Sequence, residues 1–121
     1  MSKLKRLSSQ IKNLNDIKAI EYDFSKYKDK IQQRFNDSTF KQQKNIIIDF
    51  GKFLKDICTG QYKCSWFTIT MIATAILYVI SPVDIIPDSV PIVGIIDDAF
   101  VINMIYNVIK DEFEKWRNTK K

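Results

Sequence analysis

CSWFTITMIATAILYVISPV, residues 64–83, is a run of 20 residues without a charged side chain. As a helix it would be about 30 Å long, the thickness of a bilayer's hydrocarbon core. The run admits two readings: a membrane span, or the buried central helix of a bundle. Lys63 and Trp66 at one end and Tyr78 near the other stand where interfacial anchors would. Thr68, Thr70 and Thr74 dilute its apolar character. Pro82 is expected to end the regular helix near Ile80 or Ser81, since a residue before proline disfavours the α region. Insertion is the reading carried forward, with the core helix as its alternative.

The run overlaps a second segment, Tyr78 to Ala99, YVISPVDIIPDSVPIVGIIDDA. It holds all three prolines, Pro82, Pro87 and Pro91, and the four acidic residues between Lys63 and Lys110: Asp84, Asp88, Asp97 and Asp98. From Cys64 to Ile109 there is no Lys or Arg to pair with them. Unpaired carboxylates are costly to bury, so their placement needs a physical reason. Helix starts supply one. Ser81 suits a cap, Pro82 a first helical position and Asp84 the third, where free N–H groups and the helix dipole favour an anion. Pro87 is expected to close that short helix, and Asp88 or Ser89 to open another turn before Pro91. Gly94 gives the backbone freedom to re-enter a helix, with Asp97 and Asp98 in its first turn. The other reading is a divalent cation site. Asp84 and Asp88 are i, i+4 neighbours, a turn could bring Asp97 or Asp98 beside them, and Mg²⁺ or Ca²⁺ takes such oxygen ligands. The spacing matches no calcium loop.

The pattern Tyr78-x-x-Ser81-Pro82-x-Asp84-x-x-Pro87-Asp88, then Pro91-x-x-Gly94-x-x-Asp97-Asp98-Ala99, resembles the signature of the YkvA-like family of small bacterial helical proteins, a domain of unknown function. The resemblance covers residues from Thr70 to about Ile109. Ser89 departs from it, being more polar than the bulky apolar residue usual there. The resemblance implies an all-α fold and membrane association, and it supplies no catalytic residues.

Outward from this centre the chain turns basic and amphipathic. Leu4, Leu7, Ile11, Leu14, Ile17, Ile20, Phe24, Tyr27, Ile31 and Phe35 recur at spacings of three and four. This predicts one long or two consecutive helices over 3–35, with a break at Asn15 or Asp16. The stripe suits core packing, and its Lys-rich opposite face would also suit an anionic membrane surface. Asn36, Asp37 and Ser38 predict a turn and cap before a helix over 38–58, which Gly60 ends. Gly51 inside it predicts a close helix contact. A last helix is expected from Ile95–Asp98 to about Arg117. Its uncharged part, Ala99–Ile109, is too short to span a membrane alone and would pack back on the 66–80 helix as a hairpin.

These elements predict one compact all-α bundle of 121 residues. Basic amphipathic helices occupy 1–62, and an apolar hairpin joined by the Pro/Asp turn occupies 63–121. Charge follows the same division. Residues 1–65 carry 14 Lys/Arg against 7 Asp/Glu, a net +7; residues 66–109 carry only 4 Asp; residues 110–121 carry 5 basic and 3 acidic residues. There is no His, which removes the commonest general base and every Ser-His or Cys-His arrangement. Cys58 and Cys64 read as reduced thiols, too few for a zinc cluster. The N-terminus has no apolar core of a signal peptide.

The function expected is that of a non-enzymatic, membrane-associated helical protein with both basic termini on the cytoplasmic side, its partner the bilayer. Such a protein should pellet with membranes and resist high-salt extraction. The alternatives are a cytoplasmic, soluble protein-interaction module, such as an adaptor or immunity-type protein, and an Asp-based cation site. Nucleic-acid binding is disfavoured, because the Lys residues alternate with Asp and Glu as on any solvated helix face and no recognition motif appears.

Overall fold

A computed structural model describes residues 7–35, 40–85 and 95–120. Within them the chain forms four helices: α1 (Leu14–Arg34), α2 (Lys41–Cys58), α3 (Trp66–Ile85) and α4 (Ile95–Asn118). No strand occurs among the described residues. The fold is a small all-α bundle, as the periodicity predicts.

The helix ends are set by local chemistry. A helical turn at Leu7–Ser8 precedes α1, and the break falls at Ser9–Lys12 rather than at Asn15 or Asp16. The reason is a capping box. The Asp16 N–H donates to Asn13 Oδ1 at 3.1 Å, and the Asn13 N–H donates to Asp16 Oδ2 at 3.2 Å. The same two residue types that suggested a break thus begin the helix. At the end of α2, Gly60 has φ 80°, where a side chain would be strained. The Gly60 N–H donates to Ile57 O and the Gln61 N–H to Asp56 O, a Schellman ending. Ser65 then opens α3, accepting the Thr68 N–H on its Oγ at 3.3 Å. The predicted cap at Asn36–Ser38 lies outside the described residues.

The helices pack around α3. It contacts α1, α2 and α4; α2 also contacts α1 and α4, while α1 and α4 are not principal neighbours. Cross-contacts fix the directions of α2 and α4. Gln43 Nε2 donates to Asn103 Oδ1 near their starts and Trp116 Nε1 to Asp56 Oδ2 near their ends, so the two run parallel. The short 59–65 connection turns α3 back between them. Ile69, Ile72, Ala73, Ala75, Ile76, Val79 and Ile80 of α3 are all buried. Each large side chain so covered contributes roughly 1.5–3 kcal/mol relative to exposure.

This is the core-helix alternative for the 64–83 run. Among the described residues no helix is long and apolar enough to cross a membrane. Pro82 does not end α3 near Ile80, and Ser81 does not begin a new helix: the helix continues through both to Ile85. A proline inside a helix removes one N–H donor, and α3 carries that cost.

Gly51 marks the predicted close contact. A methyl group there would overlap the ring of Phe24, which is itself buried. The α2–α4 interface has an aromatic cluster. Phe113 meets Phe50 edge-on at 5.1 Å, and Phe53 stacks on Trp116 at 4.9 Å. Helix α4 is interrupted once, at Ile109 (φ −109°, ψ 16°). Neither proline nor glycine lies nearby, and nothing in the local sequence explains the break.

Candidate functional site

Helical spacing sorts the surface of α3 and α4. Among the described residues of α3 after Trp66, Phe67, Thr70, Met71, Leu77 and Tyr78 reach solvent; Thr70 and Met71 follow Phe67 by three and four, and Leu77 and Tyr78 follow them by seven, so all lie on one side of the helix as one ridge, with buried Thr74 between. On α4, Phe100, Met104 and Val108 recur every fourth residue and make a second ridge. It lies away from Asn103 and Arg117, whose side chains reach α2. Phe67 is 60% exposed, Phe100 68% and Val108 51%. In residues 66–80 and 99–109 every residue that reaches solvent is uncharged. Exposed Lys63 and Lys110 stand at the limits of these two stretches.

The signature residues divide. Tyr78 is half-buried on the α3 ridge. The backbones of Ser81, Pro82 and Asp84 lie in the last turns of α3, and those of Asp97 and Asp98 in the first turn of α4. Pro87, Asp88, Pro91 and Gly94 lie outside the described residues, and with them the closure of any cation site. Among the described residues, no group of three or more His, Cys, Asp or Glu could hold a metal ion.

A polar clamp between α2 and α4 is absent from the sequence reading. Arg117 Nη2 donates to Asp49 Oδ2 at 2.7 Å. Asp56 Oδ2 accepts from Trp116 Nε1 at 2.8 Å and pairs with Lys120 Nζ at 2.5 Å. Tyr62 Oη donates to Glu112 Oε2 at 2.6 Å. The heptad spacing of Asp49 and Asp56, which puts both on one side of α2, is the signal that could have found it. Burial alone would raise the pKa of Asp56; the hydrogen bonds from Lys120 and Trp116, with the charges of Lys120 and Lys55, outweigh it and hold the carboxyl below its usual range. Burial pushes Tyr62 up to about 12, with help from the Glu112 carboxylate.

The thiols are free and unreactive in character. Burial raises the pKa of Cys58, with the charge of Glu21 on α1 adding to it. Burial raises that of Cys64 to about 11, with the charge of Glu112 on α4 adding to it. Both shifts run away from the thiolate character of a nucleophile.

With this geometry in view, comparison with known proteins places the chain. Residues 68–104 match the model of a family described as a protein of unknown function, DUF1232. The chain is also 43% identical over 75 residues to the uncharacterized membrane protein YkvA of Bacillus subtilis strain 168, across 59% of this chain and 71% of that protein. No solved structure matches. The family match takes in the proline-aspartate signature, most of α3 and the start of α4 with Phe100 and Met104, while Phe67 and Val108 lie just outside it.

Proposed function

We propose that this chain, which belongs to the YkvA-like DUF1232 family, is a non-enzymatic protein that docks its closed helical bundle on the cytoplasmic face of a membrane through the ridges of α3 and α4. The observation that carries the reading is the uncharged solvent face of residues 66–80 and 99–109, with Phe67 and Phe100 more than half exposed. Aromatic side chains at the acyl–headgroup boundary, with Lys at the rim, are what an interfacial contact needs. The relative named as a membrane protein supports the same compartment. The absence of His and of any nucleophile–base pair in the sequence supports a role in binding rather than catalysis.

Magnitudes make the attachment reversible. Burying the exposed parts of Phe67 and Phe100 contributes about 1–2 kcal/mol each. Each Lys close to an anionic surface adds about 1 kcal/mol. Such sums resemble one weak lipid anchor rather than an inserted helix.

Flotation with vesicles of phosphatidylcholine and phosphatidylglycerol tests the proposal. The protein is expected to rise with the vesicles and to stay bound in high salt, because apolar contacts are not screened while Lys attraction is. Phe100→Glu is expected to lower the floated fraction severalfold with an unchanged melting temperature. A wild-type protein that stays at the bottom of the gradient would contradict docking. It would favour instead a soluble interaction module using the same ridge.

A further inference from the structure

We propose that the groove between the C-terminal halves of α2 and α4 binds a phosphate dianion. The groove has a volume of about 490 Å³ and is floored by Trp116. Four cations line it, Lys52, Lys55, Arg117 and Lys120, against two carboxylates, Asp49 and Asp56. Four positive charges less two negative leave +2, the complement of a phosphate monoester.

The carboxylates are already engaged. Asp49 accepts from Arg117, and Asp56 accepts from Trp116 and pairs with Lys120. They hold the long Arg117 and Lys120 side chains in place, so less rotamer entropy remains to be lost when an anion arrives. Arg117 commits Nη2 to Asp49, and its Nη1 is 3.9 Å from Glu114, too long for a hydrogen bond. The guanidinium fork therefore keeps donors for a second anion. Lys52 and Lys55 are both exposed and lie three residues apart on one face of α2; among the described residues neither is locked in a close ion pair, although the charge of Lys55 is felt by Asp56. Two exposed ammonium groups thus line the same groove as the held Arg117 and Lys120 donors.

The shape of the groove narrows the ligand. Its volume exceeds that of phosphate alone and leaves room for the organic part of a monoester. Trp116 is 3% exposed and stacked on Phe53, so it cannot stack a base, and recognition rests on the phosphate. The monoester could come from a small soluble molecule or from a lipid headgroup, and both present the same dianion.

Calorimetric titration of the full chain with inorganic phosphate is the primary test, with nitrate at equal ionic strength as control. Binding is expected for phosphate and not for nitrate. The variant Lys52→Gln/Lys55→Gln should bind phosphate at least about tenfold more weakly, a change of about 1.4 kcal/mol. Both positions are exposed and outside any close ion pair among the described residues, so its melting temperature in phosphate-free buffer should match the wild type. Equal heats for phosphate and nitrate, or equal phosphate affinity in wild type and variant, would overturn the proposal. Flotation with vesicles containing phosphatidic acid then separates the sources. Vesicle binding that free phosphate competes away assigns a lipid headgroup, and phosphate binding without such competition assigns a soluble monoester. The calorimetry contains no lipid, so its outcome is independent of membrane docking by α3 and α4.

Discussion

Along α1 and α2 the residues facing solvent include Lys18, Lys26, Asp29, Lys30, Lys41 and Lys52; in residues 66–80 of α3 and 99–109 of α4 they are Trp66, Phe67, Phe100, Asn107 and Val108. Both halves bury the same kinds of side chain. Ile17, Ile31, Phe50 and Leu54 on one side match Ile72, Ile76, Ile102 and Ile105 on the other, all at 1% exposure or less. The core therefore does not distinguish them, and the surface does. Tyr22 and Leu14 are exposed on α1, but Tyr22 stands beside charged residues and such single apolar side chains are ordinary. On α3 and α4 the apolar positions repeat in ridges with no cation between them. Stability does not require an uncharged exterior, so a surface without Lys, Arg, Asp or Glu over such a length points to what it meets rather than to how the bundle folds.

The contrast breaks most visibly if core and ridge respond alike to truncation. Phe113→Ala removes a fully buried ring in contact with Phe50 and Tyr106 and should cost about 3–5 kcal/mol. Phe100→Ala, at 68% exposure, should change stability by less than about 0.5 kcal/mol. Chemical denaturation of both variants measures the difference. Comparable losses would mean that the α4 ridge is part of the core.

A smaller effect sharpens the basic half. Gly51→Ala improves helix propensity by about 1 kcal/mol, yet its methyl group meets the Phe24 ring. Overpacking should win, for a net loss of about 1–2 kcal/mol in thermal melts. A stabilised variant would show that α1 and α2 have slack at this crossing.

The smallest effect concerns the clamp. Asp56 has a lowered pKa in the fold, so its contribution is present above the unfolded carboxyl value of about 3.9 and is lost as pH falls through the lower folded value. Wild type should therefore lose stability below about pH 4, and Asp56→Asn should lose less over the same interval. The difference should be under about 1 kcal/mol, since Lys120 is half exposed and screened. Melting temperatures against pH check it; identical acid slopes would mean that Asp56 gains nothing from its partners on α4.

How much of this was legible in the sequence depends on the range of the interaction. Caps and glycines are local, and the ending at Gly60 and the contact at Gly51 could be read from neighbouring residues. Apolar spacing located all four helices. Pro82 misled because the local preference of the residue before a proline is a bias and not a stop, and α3 runs on through it to Ile85. The choice between span and core helix for residues 64–83 turned on whether other helices would cover the run, a non-local question that composition leaves open. The clamp joins Asp49 to Arg117 and Asp56 to Trp116, residues 68 and 60 positions apart, and no local pattern ties them. The two ridges emerged only once burial had separated covered from uncovered apolar residues. The break at Ile109 falls where α4 passes from its uncharged stretch to the charged one beginning at Lys110. The helix thus bends at the boundary between the two kinds of surface.

Tryptophan quenching by vesicles with brominated acyl chains tests the docking claim most directly. The protein has two tryptophans, Trp66 at 44% exposure on the proposed face and Trp116 at 3% in the core. If the α3–α4 face meets the bilayer with the bundle closed, emission should be quenched in the wild type and Trp66→Phe should abolish that quenching, leaving Trp116 unaffected. Absence of quenching in the wild type, or quenching that persists in Trp66→Phe, would contradict the account.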